Sequence, residues 1–164
     1  MPLRDDTGPL VDKWTRVEPG EALPEGPILD FADAGSRDDL GEGRIGLAVP
    51  NDIDLDALDA WLDRAALISV DFPSFADGRG FSIARALRAR GYTGRLRAHG
   101  PVIADQYAYL RACGFDEVET PQRVSNRQPE AHWAAAQDRM SLRYQRGYPG
   151  PRNILEARRA ASGQ

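Results

Sequence analysis

One ten-residue stretch, Asp71-Phe72-Pro73-Ser74-Phe75-Ala76-Asp77-Gly78-Arg79-Gly80, gathers two aspartates, an arginine and two glycines. Carboxylates such as Asp71 and Asp77 serve as hydrogen-bond acceptors or metal ligands, and the Arg79 guanidinium forms a fork suited to an oxyanion. A second short stretch, His99-Gly100-Pro101, offers a side chain that can act as a general acid or base near neutral pH. Asp71, Asp77 and His99 are therefore the catalytic candidates, with no role assigned to any of them. Arg79, Gly78, Gly80 and Gly100 are the ligand-binding candidates. The backbone donors from Gly100 to Ile103 open a helix and form a weak anion site, weakened by Pro101, which has no N–H. Each feature also has a plain structural reading: a rigid loop in which Asp77 caps a turn and Arg79 pairs with Asp71, and a His99 that only packs or faces water.

Other chemistries are excluded or unsupported. The chain contains no GxSxG, GxxxxGK[ST], GxGxxG or HExxH pattern. The single cysteine, Cys113, rules out an internal disulfide, a CxxC pair and a cysteine-held cluster, and is best read as a small buried apolar residue. With only His99 and His132 present, a two-histidine metal site has little support, and neither a metal nor an organic cofactor is expected.

The elements that must position these residues are legible from Arg44 onward. IGLAV (45–49), ALISV (66–70), GRLRA (94–98) and 115–119 are short apolar or alternating runs of strand length. Between them lie amphipathic segments: Leu55, Leu58, Trp61 and Leu62 share one helical face opposite four aspartates. Phe81, Ala84 and Leu87 do the same in a helix over about 80–90, with Arg85, Arg88 and Arg90 outward. The third helix runs from Pro101, and glycines 91 and 114 close the last two. Strand and helix alternating at this spacing predict parallel βαβ units. The expected fold is α/β, a small mostly parallel sheet of four to five strands or a half-barrel-like arrangement of the same units. In such sheets ligands gather beyond the carboxyl ends of the strands, where Pro50-Asn51-Asp52, the 71–80 stretch and His99-Gly100-Pro101 converge.

Around that core the sequence is less regular. Residues 1–43 read as an irregular N-terminal segment with one or two edge strands, one of them at 27–31. Residues 44–145 form the α/β domain, ending in a helix over about 129–140, and 146–164 form a flexible basic tail. Residues 1–120 hold 13 Lys+Arg against 22 Asp+Glu, whereas 121–164 hold 8 against 3. The acidic body argues against nucleic acid. The basic tail, with Arg139, Arg143, Tyr144 and Arg146, suits electrostatic docking on an acidic partner or is a solvated arm. No apolar run is long enough for a membrane span, and the N-terminus has no signal-peptide pattern, so a cytoplasmic location is expected.

DFPSFADGRGFSIARALR, GRLRAHGPVIADQYAYLRACGFDEVE and SLRYQ together resemble the bacterial family called domain of unknown function 934, over about 45–145. The DGRG-F-S and DQ-Y-L-x-x-C-G-F-D combination carries the resemblance. It implies an accessory protein of assimilatory sulfite reduction, since members are typically encoded beside a haem sulfite reductase and labelled probable oxidoreductases of that step. Sulfite reductase or its electron donor is the implied partner. Members more often have Gly-Asp where this chain has His99-Gly100-Pro101, so no aspartate role carries over there. Against this stand a small enzyme or anion-binding protein acting on a sulfur oxyanion or metabolite through 71–80 and His99, and a ligand-free dimeric (homo-oligomeric) scaffold.

Overall fold

The strands of the central stretch carry apolar and charged residues in alternation, so each has two unlike faces. The structure, a computed structural model, describes residues 1–138. Its strands are β1 (Leu3–Asp5), β2 (Gly8–Leu10), β3 (Thr15–Arg16), β4 (Pro27–Asp30), β5 (Ile45–Val49), β6 (Ala65–Asp71), β7 (Arg95–His99) and β8 (Glu117–Glu119). Its helices are α1 (Phe31–Ala34), α2 (Leu55–Leu58), α3 (Arg79–Ala89), α4 (Ala104–Cys113), α5 (Gln122–Ser125) and α6 (Glu130–Asp138), with a 3-10 turn at Asp59–Trp61. All eight strands form one sheet in the order β2-β1-β8-β7-β6-β5-β4-β3. From β3 to β8 neighbours are parallel and consecutive in sequence, while β1 is antiparallel to both β8 and β2.

The sheet is therefore larger than the four to five strands expected, and partly antiparallel. The difference comes from the first 30 residues, whose strands of two to four residues carry little periodicity of their own and of which β1 joins the sheet through β8, remote in sequence. The run near 27–31 is also no edge: β4 is enclosed by β3 and β5. The helix expected from Pro101 starts at Ala104, because Val102 N–H closes a tight turn on the Gly100 carbonyl.

Parallel strands laid down one after another in a single direction, with right-handed crossovers, place every helix on the same face. The burial pattern agrees. Leu47, Val49, Ile68, Val70, Leu96, Ala98 and Val118 pack outward against Leu58, Ile83, Leu87, Tyr107, Leu110, Cys113 and Trp133 in one apolar core. Trp133 of α6 sits edge-on to Tyr107 and under the Arg4 guanidinium, which pins the N-terminal hairpin to the helical layer.

The opposite face is enclosed by curvature. An eight-stranded flat sheet would be about 34 Å wide at the usual strand spacing. Its two edge strands, β2 and β3, are joined by only residues 11–14, a link that reaches about 18 Å fully extended. The sheet must curl until its edges approach, like a barrel left open along one seam. Its inward positions run in layers: Ile28, Gly46, Leu67 and Arg95 in one, then Asp30, Ala48, Ser69, Arg97 and Glu117, then Asp71, His99 and Glu119.

Candidate functional site at the mouth of the curled sheet

The interior is charged. Arg97 is 1% exposed, yet it bonds Glu117 through Nε at 2.7 Å, Asp12 through both terminal nitrogens at 2.7 and 2.8 Å, and Glu119 at 3.1 Å. Glu117 also takes Arg95, and Arg16 reaches Ser69 Oγ at 2.9 Å and Glu119 at 3.4 Å. Three guanidiniums thus face three carboxylates, which is how a protein tolerates charges removed from water. Burial opposes the charged Arg97, but Asp12 and Glu117 more than offset it, and the guanidinium is held ionised. Asp12 likewise has a carboxyl below its usual range: its partial burial works the other way and is outweighed by Arg97 and the Trp14 N–H.

This cluster escaped the sequence reading, in which GRLRA (94–98) is only a run of strand length. The signal lay in parity. Arg95, Arg97 and His99 alternate on one strand, Glu117 and Glu119 on the next, and only the register of β7 with β8 reveals that they face each other.

At the carboxyl end of the strands the candidates separate into two groups. His99 Nδ1 lies 2.6 Å from Asp71 Oδ1, the two side chains being neighbours across β6 and β7. Arg79 does not reach Asp71, the partner its plain structural reading required. It folds back on Asp77, with Nε and Nη2 at 3.1 and 2.8 Å, and its own N–H bonds the same carboxylate. The guanidinium and that N–H hold the Asp77 carboxyl far below the ordinary range. The third rim stretch contributes Asn51, buried, whose side chain faces Asp77 and helps to favour its charged form.

Two of the three glycines have a packing reason to be glycine. Gly100 has φ +136°, a conformation side chains avoid, and a Cβ there would fall 2.1 Å from the Phe72 carbonyl oxygen. Gly80 lies flat against the Phe72 ring, where a Cβ would come within 2.5 Å. Gly78 ends the loop immediately before α3.

The expected anion site at Gly100–Ile103 is also spent. Gly100 N–H bonds Glu119 O, Val102 N–H bonds Gly100 O, and Ile103 N–H bonds Gln106 Oε1. Arg88, expected to point outward, instead ties the carbonyls of Tyr92, Gly94 and Gly114 to Asp116. Among the described residues no group of three His, Cys, Asp or Glu is arranged to hold a metal, and no helix is long and apolar enough to cross a membrane. The tail candidates Arg139, Arg143, Tyr144 and Arg146 lie outside the described residues.

Beside the mouth is an aromatic surface. Phe75 and Tyr109 are 60% and 48% exposed. Gln106 Nε2 donates to the Phe75 carbonyl at 2.7 Å, and Tyr109 meets Phe81 edge-on and lies beneath the Arg85 guanidinium.

Fold and site together define an α/β protein built on a curled sheet, apolar outside under its helices and ionic within. Residues 46–155 match the family described as bacterial protein of unknown function (DUF934), and the chain belongs to it. No curated protein and no solved structure matches the chain.

Proposed function

We propose that this chain is an accessory protein of assimilatory sulfite reduction, which docks on sulfite reductase or its electron donor. The family resemblance supplies the pathway. The observation that favours docking over catalysis is the aromatic surface of Phe75, Tyr109 and Phe81 with Arg85. Aromatic and arginine side chains are the residues that anchor protein interfaces. By contrast, the rim arginine suited to an oxyanion is already turned onto Asp77.

The test is recovery of the tagged protein from its own cells grown on sulfate. A sirohaem-bearing enzyme should accompany the native protein and be lost from the Phe75→Ala/Tyr109→Ala double variant. Recovery of the native protein without that enzyme would overturn the proposal. Loss of the partner on removing residues 146–164, but not on changing the aromatic pair, would move the docking role to the basic tail.

A second reading, a small enzyme or anion-binding protein acting on a sulfur oxyanion, is favoured by the His99–Asp71 pair. Asp71 orients the ring through Nδ1, leaving Nε2 as the atom that could exchange a proton. On that reading Asp71→Asn and His99→Gln both abolish growth on sulfate while the unfolding midpoint stays put. Full growth of both variants would rule it out.

A further inference from the structure

A cavity of about 570 Å³ opens at the mouth, between the carboxyl ends of β3, β4 and β5. That volume falls within the range of small-molecule sites, and the position is where parallel sheets place them. Four of its lining residues decide what it could hold: Arg16, Glu18, Asp30 and Ala48.

Arg16 commits only Nη2, to Ser69 and Glu119, and its Nε and Nη1 have no hydrogen-bond partner among the described residues. Asp30 uses Oδ1 to cap α1 through Ala32 N–H, which leaves Oδ2 free of that duty. The Glu18 side chain makes no hydrogen bond among the described residues. Ala48 occupies an inward position between Asp30 and Ser69, so its methyl group leaves the space that a larger side chain would fill.

A lone oxyanion would gain Arg16 but meet the carboxylates of Glu18 and Asp30, Asp33 of the same lining being paired with Arg37, and a lone cation would gain the carboxylates but meet Arg16. A molecule carrying both signs satisfies each wall at once. We infer that this cavity is a binding site for a small zwitterion of the α-amino acid class, its carboxylate on Arg16 and its ammonium on Asp30 and Glu18. The site is independent of the docking surface on α3 and α4 and stands whether or not the chain joins a reductase.

The experiment is thermal unfolding of the full chain with 10 mM L-serine, L-methionine or L-glutamate, against sodium acetate and ethylammonium chloride at equal ionic strength. A ligand bound only to the native state raises the midpoint. At least one amino acid should raise it by a few degrees while acetate and ethylammonium leave it unchanged. Arg16→Gln should abolish the shift. Because Arg16 also bonds Ser69 and Glu119, a second variant, Ala48→Leu, fills the cavity without touching a charge and should abolish the shift as well. No shift with any of the three amino acids, an equal shift with acetate, or a shift that survives Ala48→Leu would each overturn the assignment.

Discussion

Arg97 and Arg79 make nearly the same hydrogen bonds in opposite surroundings. Arg97 lies inside the curled sheet with Glu117, Asp12 and Glu119. Arg79 lies on the rim, 58% exposed, with its neighbour Asp77 two residues earlier. The first pair of elements it joins are distant in sequence, the second is one turn of chain. Inside, water cannot replace a lost partner, so each group depends on the others. On the rim, solvent takes over at once. The same chemistry therefore organises the fold in one place and leaves a loop free to be used in the other.

The largest effect should follow from Arg97→Met. It strands Asp12 without its cation and leaves Glu117 only the half-exposed Arg95, and removal of one partner from a buried pair typically costs about 3–5 kcal/mol. Chemical denaturation should show that loss or a chain that fails to fold. A loss under about 1 kcal/mol, the level of a surface pair, would erase the contrast between the two regions.

Next comes Gly100→Ala, which tests whether the rim owes its shape to backbone rather than to side chains. The left-handed backbone alone costs about 1–3 kcal/mol in a residue with a side chain, and the overlap with Phe72 O adds to it. An unchanged denaturation midpoint would show that the 72–100 contact yields easily.

The acid limb of the stability curve separates the regions in a third way. The folded-state pKa of Asp12 lies below its usual 3.8. Its contribution is therefore complete above that value and is lost as the pH falls through the folded pKa. Asp12→Asn should flatten the decline below about pH 4. A decline as steep in the variant as in the native chain would mean that Asp12 does not couple the 11–14 link to the sheet.

Smallest of all should be Asp77→Ala or Arg79→Ala, because exposed pairs are screened and flexible. Unfolding midpoints should match the native chain's. A clear drop would place the rim pair among the structural contacts and remove it from the candidate surface.

Much of this was legible in the chain. Strand β5 and the helices around Ala84 and Leu110 follow from apolar runs and periodicity, because both faces of a strand or one stripe of a helix must be buried locally. The rim stretches were found for the same reason: they are what lies after each strand. What could not be read was pairing. Whether Arg79 meets Asp71 or Asp77, and whether Arg97 is bare or buried, depends on register between strands that sequence separation does not encode. His99 and Asp71, 28 residues apart, meet only because β6 and β7 align them.

The sequence by itself thus determined the repeating strand–helix units, the apolar layer between sheet and helices, and the family to which the chain belongs. The tertiary structure alone decided that the first 30 residues complete the sheet and that a four-residue link curls it. It also decided that the face the helices leave bare becomes an ionic interior. The physical reason is range. Periodicity reports what a segment must bury against its own neighbours. Charge matching inside a curled sheet is settled between strands that meet only after the whole chain has folded.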